Sequence, residues 1–188
     1  QGLATANALL DRGEKVLLLE RNSGVALETS FANAGMLTPS QAQPWNSVSD
    51  IISILSGIGK KDSSMLIKLR EFPSLFFWGM GFLLNSSKSR YLSNTDNICR
   101  LAQHSLELTR KAREEYKLHY DHSSLGTMKI FRDELSFIKG KKEAERLNDH
   151  GITFTCLEVK DVVQVEPLLD DISDQISGGI IFPEDEVG

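Results

Sequence analysis

The sequence predicts an α/β fold, in which a partial Rossmann-type nucleotide-binding domain precedes part of a mixed α+β substrate domain. Three observations support this. An Ala-rich helix starting at Gly2 leads through a turn at residues 11–13 into the apolar segment 15–20, which is typical of a buried strand. Glu20 follows Gly2 by eighteen positions, close to the spacing between the last glycine of G-x-G-x-x-G and the ribose-binding carboxylate. Successive helix patterns follow up to about residue 116, and strand and helix patterns then alternate from residue 127 onward.

The spacing of Gly2 and Glu20 indicates how a nucleotide would be held. Gly2 would let the helix pack closely on a sheet, and the helix N-terminus would attract a pyrophosphate. Glu20 would accept hydrogen bonds from a ribose and repel a 2′-phosphate, which disfavours NADP. The alternative is an ordinary βαβ unit with a packing glycine and a solvated Glu20. We expect the first strand and the first two glycines of the motif to precede Gln1, and the C-terminal half of the protein to follow Gly188.

The loop from Arg21 to Met36 contains the most specific pattern, the run Glu28-Thr-Ser-Phe-Ala-Asn-Ala-Gly35. Together with the pair Glu20-Arg21, this run resembles the second cofactor-contacting loop of the FAD-dependent amino-acid oxidoreductases, the D-amino acid oxidase and glycine oxidase superfamily. Within it, the run is most similar to the small subunit of the bacterial D-amino acid dehydrogenases. Four later stretches match family landmarks in the family's order: residues 41–45, 126–132, 165–168 and 178–186.

The resemblance implies an FAD-dependent oxidoreductase that acts on CH-NH2 donors. It would oxidise a D-amino acid to an imino acid, which water hydrolyses to a 2-oxo acid and ammonia, and it would pass electrons to a quinone or another respiratory acceptor. The family's substrate-binding residues come later in its chains, so no catalytic residue is predicted and the fragment alone is expected to be inactive. The implied cofactor-binding residues are Gly2, Glu20, Arg21, Thr29, Ser30, Asn33, Ala34, Gly35 and Met36.

Three alternatives remain at this stage. A glycine- or sarcosine-type FAD oxidase would use oxygen. An NAD-dependent Rossmann dehydrogenase would share Gly2 and Glu20 but has no need of the run from Glu28 to Gly35. A non-catalytic FAD-binding protein would bind the cofactor without being reduced by a substrate.

Composition restricts the class of protein and its partners. The chain has 188 residues, 40% of them hydrophobic and 25% charged, values typical of a globular protein. A net charge of −5 argues against a nucleic-acid partner. Cys99 and Cys156 are too far apart to indicate a disulfide framework or a metal site, so a reducing, cytoplasmic location is expected, with or without peripheral contact at the inner face of the plasma membrane.

The sequence places a domain boundary after residue 45, which gives domains 1–45 and 46–188. Residues 38–50 are polar and predict a connection, in which Trp45 either anchors the loop, as we favour, or packs over a cofactor. A short helix is predicted at residues 51–59. Ser63 and Ser64 are predicted to cap a second helix that runs to about Arg70.

Residues 72–84 form the most apolar stretch and predict a helix. Thirteen residues span about 20 Å as a helix, too short for the roughly 30 Å hydrocarbon core of a membrane. Two interpretations are open. The helix either lies in the core of the second domain, as we favour, or forms a surface patch that enters a bilayer to reach quinone.

A long amphipathic helix is predicted from Thr95 to about Tyr116, with Ile98, Leu101, Ala102, Leu106, Leu108 and Ala112 on its apolar face. His104, His119 and His122 are candidate ligands or bases. His119 and His122 stand three residues apart, but no carboxylate or cysteine is spaced to complete a zinc site. No metal site is therefore predicted.

The remaining patterns predict a mixed sheet with helices. A strand at 127–132 precedes Asp133, which should cap a helix ending near Gly151. A strand at 153–157, a helix at 159–165 stopped by Pro167, and a strand at 177–182 follow. Gly178 and Gly179 indicate a bulge or a close approach. Residues 183–186, Pro-Glu-Asp-Glu, are predicted to form a solvated turn.

Overall fold

The computed structural model describes residues 1–47, 51–52 and 72–188. These form two compact units, Gln1–Gly35 and Met36–Gly188. Residues 51 and 52 are helical, but the rest of the helix predicted at 51–59, and the whole helix predicted at 63–70, lie outside the described residues. The boundary predicted after residue 45 concerns the domains of the whole protein and stays a prediction.

The first unit contains one regular element, helix α1 (Gly2–Leu10), as predicted. Gly13, with a φ of +80°, closes the turn that ends it: its N–H donates to the Leu10 carbonyl at 2.8 Å. The strand predicted at residues 15–20 is not formed, because no described segment pairs with it. A strand needs hydrogen bonds to a neighbour. Without one, the Leu17 and Leu19 side chains of this segment are exposed.

The second unit is built on two antiparallel pairings. A three-stranded sheet has the order β2 (Thr127–Phe131), β4 (Gly178–Phe182) and β3 (Thr155–Leu157), with Ile180 opposite both Lys129 and Cys156. A separate two-stranded ladder pairs β1 (Met36–Leu37) with β5 (Glu186–Val187). The sheet follows the sequence prediction closely, since the three predicted strands differ from those observed only at their ends.

The helices of the second unit are α2 (Phe72–Leu84), α3 (Lys88–Glu115), α4 (Glu134–Asn148) and α5 (Val159–Val165). Asp133 caps α4 as predicted, because its carboxylate accepts a hydrogen bond from the Ser136 N–H at 2.8 Å. α2 and α5 have the predicted bounds, whereas α3 begins seven residues before the predicted Thr95. A 3₁₀ segment, Pro167–Gln175, was not foreseen.

The core of the second unit lies where β4 meets the helices. Ile180 and Phe182 of β4 are buried with Leu147 of α4 and Val162 of α5. A Cβ atom on Gly179 would lie only 2.7 Å from Val162 Cγ2, so a side chain there would overlap α5. The predicted close approach at this glycine is confirmed.

Helix α2 is not part of that core, so the favoured interpretation of residues 72–84 is wrong. Phe77 is 83% exposed, and the other large side chains of one helix face are exposed as well: Phe76, Met80, Leu83 and Leu84. The reason is that the sheet packs with α3, α4 and α5 to make the core of the second unit, and α2 contributes no described residue to it. Within the described ranges, no helix is long and apolar enough to cross a membrane.

Candidate functional site

The first unit has an open cavity of about 580 Å³ where the loop after residue 20 lies beside the start of α1. This volume is typical of small-molecule sites. Five of the nine residues predicted to bind a cofactor line it: Gly2, Glu20, Arg21, Thr29 and Ser30. The cavity is therefore formed at the place where sequence reasoning expected a nucleotide.

The other four predicted residues lie elsewhere. Asn33, Ala34 and Gly35 are outside the cavity lining, and Met36 belongs to β1 of the second unit. Asn33 organises the end of the loop: its Nδ2 donates to the Ser30 carbonyl at 3.3 Å, and its Oδ1 accepts from the Gly35 N–H at 2.6 Å. Gly35 has a φ of +62°, which favours glycine. Asn33 and Gly35 thus shape the loop without lining the cavity.

An ion pair between Arg21 and Glu28 joins two parts of this loop that are seven residues apart. Arg21 donates to Glu28 Oε1 through Nε at 3.1 Å and through Nη2, and Asn22 Nδ2 approaches the same oxygen at 3.4 Å. The Arg21 hydrogen bond, followed by that of Asn22, lowers the pKa of Glu28 below its ordinary value. Glu28 begins the family run in the sequence, but its pairing with Arg21 was not predicted. The opposite charges of Arg21 and Glu28, seven residues apart, were the sequence feature that could have predicted it.

Glu20 and Gly2 both line this cavity, but only Glu20 is placed as the sequence predicts. Glu20 Oε1 accepts a hydrogen bond from the Asn22 N–H at 2.8 Å, which fixes the carboxylate at the cavity edge. A Cβ on Gly2 would lie 3.9 Å from Leu18 Cδ1, an ordinary contact. The first unit therefore leaves room for a side chain at Gly2, and the close packing predicted there is not observed.

The polar groups around the cavity suit the adenosine end of FAD. Glu20 offers a carboxylate for ribose hydroxyls, and Thr29 and Ser30 offer hydroxyl donors. Helix α1 begins at the cavity, and no side chain caps its first turn. The N–H groups of a first helical turn have no partner within the helix and favour an anion such as a pyrophosphate. The residues present therefore fit this cofactor.

The acidic segment 183–186 is only half solvated, so the predicted turn is wrong for its last two residues. Asp185 is 1% exposed and accepts hydrogen bonds from the Ser40 N–H at 3.2 Å, from Ser40 Oγ at 2.6 Å and from Thr127 Oγ1. Lys129 Nζ donates to the Ser40 carbonyl at 3.2 Å. Burial is possible because partners far away in the sequence satisfy the carboxylate.

Glu186 is 3% exposed and is held by three side chains. Its carboxylate lies 2.7 Å from Arg110 Nε, 2.8 Å from Arg113 Nη1 and 3.1 Å from His122 Nε2. Burial alone would raise the pKa of Glu186, but the hydrogen bonds from Arg113, Arg110 and His122 outweigh it and lower the pKa to about 2. Glu186 thereby ties β5, which pairs with β1, to α3.

Three histidines of the described ranges, among them the candidates His104 and His122, have side-chain partners. His122 contacts Glu186, His104 Nδ1 lies 4.0 Å from Glu107, and His150 Nε2 lies 3.0 Å from Asp96. Cys99 and Cys156 are free thiols. No group of three or more His, Cys, Asp and Glu residues in the described ranges is placed to hold a metal ion.

Comparison with known proteins gives a consistent result. A family model described as FAD dependent oxidoreductase, the DAO family, matches residues 1–187. D-amino acid dehydrogenase of Paramagnetospirillum magneticum is 33% identical over 188 residues, and D-amino acid dehydrogenase of Phenylobacterium zucineum is 35% identical over 187 residues. Each match covers 100% of this chain and 44% of the relative. The chain thus spans less than half the length of these relatives. No solved structure is significantly similar to it.

Proposed function

The chain belongs to the DAO family of FAD-dependent oxidoreductases, and we propose that the protein is a dehydrogenase of D-amino acids. The observation that carries the proposal is that two relatives matching the whole chain are both named D-amino acid dehydrogenase. The substrate would be oxidised to an imino acid and then hydrolysed to a 2-oxo acid and ammonia. The electrons would pass to a quinone-type acceptor.

The described residues would bind and orient the cofactor. FAD itself supplies the acceptor for the hydride of the substrate. Glu20 would accept the ribose hydroxyls, the first turn of α1 at Gly2 would receive the pyrophosphate, and Thr29 and Ser30 would donate to it. Arg21, paired with Glu28, would hold the loop in place.

The other four residues predicted to bind the cofactor would determine the backbone conformation of the loop. Asn33, Ala34 and Gly35 would let the loop run close to the cofactor because their side chains are small, and Met36 would continue this path into the second unit. We also propose that residues 15–20 become a strand of a Rossmann-type sheet in the protein, since pairing would bury the exposed Leu17 and Leu19.

We further propose that α2 contacts a membrane surface peripherally. Its exposed face presents Phe76, Phe77, Met80, Leu83 and Leu84 without a charged side chain among them. Contiguous exposed apolar residues on a short helix are typical of an interface, and a bilayer interface accepts such a face without being crossed. Phe82, which the sequence grouped with Phe76 and Phe77, lies on the other side of the helix and packs against Trp78.

Two measurements on the purified protein test the reaction. Reduction of a dye and release of hydrogen peroxide are followed with D-alanine, L-alanine, glycine and sarcosine. We expect dye reduction with D-alanine and little peroxide. Stoichiometric peroxide, or a preference for L-alanine, glycine or sarcosine, would assign the protein to an oxidase branch instead. Absence of the flavin absorption bands would point to an NAD-dependent enzyme.

A Glu20→Ala variant tests the cofactor site. Loss of charge-assisted hydrogen bonds to a ribose should weaken FAD binding by about 1 to 3 kcal/mol, measured by flavin titration of the apoprotein. Glu14→Ala is the matched control, because Glu14 is an exposed carboxylate outside the cavity lining. Equal FAD affinity of the two variants would remove Glu20 from the site.

A further inference from the structure

A second cleft, of about 540 Å³, lies in the second unit between α2, α3 and the segment that precedes residue 47. Trp45, Trp78 and Phe82 form one wall. The Trp45 and Phe82 rings meet edge to face at 5.2 Å, and the Trp78 and Phe82 rings stack at 5.1 Å. Trp45 and Trp78 are nevertheless more than half exposed, so these rings present open aromatic surface to the cleft.

The polar part of the cleft wall is uncharged. Four asparagines line the cleft, Asn46, Asn85, Asn94 and Asn97, and no Asp, Glu, Lys, Arg or His is among its described lining. An amide group can both accept and donate a hydrogen bond, whereas a carboxylate only accepts and an ammonium only donates. The wall therefore suits an uncharged ligand whose polar atoms are acceptors in one state and donors in another.

Asn46 gives independent evidence for a missing partner. It is 7% exposed, and its Oδ1 is the one buried side-chain oxygen or nitrogen in the described ranges that has no hydrogen-bond partner. Its Nδ2 makes only a long contact of 3.5 Å with the Phe82 carbonyl. Buried polar atoms are nearly always hydrogen-bonded in native proteins. An acceptor left unsatisfied at the side of a cleft indicates a donor that comes with a ligand.

The two faces of α2 have different surroundings. Trp78, Gly81 and Phe82, with Asn85 directly after the helix, follow each other at the spacing of one helix face and line the cleft. The face proposed for membrane contact lies on the other side of the same helix. The proposed membrane contact and the cleft thus share one helix, so the cleft would lie within about one helix diameter, roughly 10 Å, of the bilayer that holds a lipid-soluble ligand.

We propose that this cleft binds the ring of a quinone, the electron acceptor of the proposed dehydrogenase; the inference rests on that function. The quinone ring packs on the aromatic wall, and its two carbonyl oxygens accept hydrogen bonds from asparagine amides. Two electrons and two protons, which the cofactor of the proposed dehydrogenase would supply after oxidising the substrate, would convert both carbonyls into hydroxyls. Asn46 Oδ1 then accepts a hydrogen bond from the new hydroxyl, so the same amides serve both redox forms.

The test uses the purified holoenzyme and a short-chain benzoquinone. Asn46→Leu preserves the size of the side chain and removes the amide, and Asn94→Leu does the same on α3. Each should raise both the Kd of the quinone, measured by calorimetry on the oxidised enzyme, and its KM by about tenfold, the loss expected for one hydrogen bond. Reduction of phenazine methosulfate with D-alanine should be unchanged. Leu101→Ala, at an exposed position of α3 outside the cleft, is the control.

The outcomes separate the cleft from the proposed function. Unchanged Kd and KM in both asparagine variants, with dye reduction intact, would overturn the cleft assignment and leave the dehydrogenase in place. Absence of dye reduction in the wild type would overturn the dehydrogenase, and the Kd values alone would then decide whether the cleft binds a quinone. Thermal melts show that each variant is folded, and a Trp78→Ala variant with a raised Kd would independently support the aromatic wall.

Discussion

Glu186 is the residue at which the electrostatics of the second unit can be tested most directly. Replacing it by Gln keeps the size of the side chain but removes the charge that Arg110, Arg113 and His122 surround. Two guanidinium groups would then face a neutral amide. We expect the Glu186→Gln variant to unfold at lower urea concentration than the wild type at pH 7.

The magnitude follows from the pKa of Glu186. Lowering it from the ordinary 4.5 to about 2 corresponds to about 3 kcal/mol of stability. The side chain of Arg110 is 38% exposed and regains water when its partner is lost, and a glutamine oxygen still accepts a hydrogen bond. We therefore expect a loss of about 2 kcal/mol at pH 7.

The same pKa fixes the pH dependence. Because the folded-state pKa is lower than the unfolded one, the charge stabilises fully above pH 4.5 and its contribution disappears as the pH falls through about 2. Between pH 7 and pH 3 protonation removes about 2 kcal/mol of this stabilisation, so the difference in unfolding free energy between wild type and variant should fall from about 2 kcal/mol at pH 7 to near zero at pH 3.

Urea unfolding followed by circular dichroism at both pH values measures this difference. Glu184→Gln is the matched control, because Glu184 is an adjacent exposed carboxylate that accepts a hydrogen bond from Thr153 Oγ1, which glutamine also accepts. It should change stability by less than about 0.5 kcal/mol at either pH. A Glu186→Gln difference at pH 7 as small as that of the control, or a difference that is the same at both pH values, would refute the proposed role of the ion pairs.

Three further predictions concern packing and the exposed helix. Ser40→Ala removes the hydroxyl that donates to the buried Asp185. It should lower the free energy of unfolding, measured with urea, by about 1 to 3 kcal/mol. An unchanged free energy of unfolding would contradict the importance of this hydrogen bond. Gly179→Ala places a Cβ within 2.7 Å of Val162 and should lower the free energy of unfolding by about 1 to 3 kcal/mol. Gly79→Ala on α2, where a Cβ has no neighbour within 4 Å, is the control and should not lower it. Equal melting temperatures of the two variants would contradict the packing at Gly179. Phe76→Glu combined with Phe77→Glu should weaken binding to phosphatidylglycerol vesicles at least about tenfold without lowering the melting temperature, and undiminished binding would exclude the membrane contact.

The loop from Arg21 to Met36 shows what a sequence pattern can predict about a cavity and what it cannot. Glu20, Thr29 and Ser30 were identified from spacing and from the family run, and they do share one cavity. The pattern did not distinguish them from Asn33 and Gly35, which shape the loop from outside the cavity. A sequence pattern shows which functional groups are present. The backbone conformation determines which of their side chains line the same cavity.

The sequence by itself determined the elements whose hydrogen bonds are local. The helices at residues 2–10, 72–84 and 159–165 have their predicted bounds, and Asp133 caps α4 as expected. A helix satisfies its backbone within four residues, and a cap reaches only three residues onward. The information for these elements therefore lies within a short window of sequence.

Only the tertiary structure decided what is buried. Asp185 and Glu186 follow a proline in an acidic segment that is typical of solvated turns, yet Ser40, 145 residues earlier, and Arg110, 76 residues earlier, hold them inside. Helix α2 is the most apolar stretch of the chain and is nevertheless exposed, because the sheet packs on other helices. A polar side chain can be buried only when the fold brings a partner to it, and these partners are distant in the sequence. A local pattern of polar and apolar residues therefore does not predict this burial.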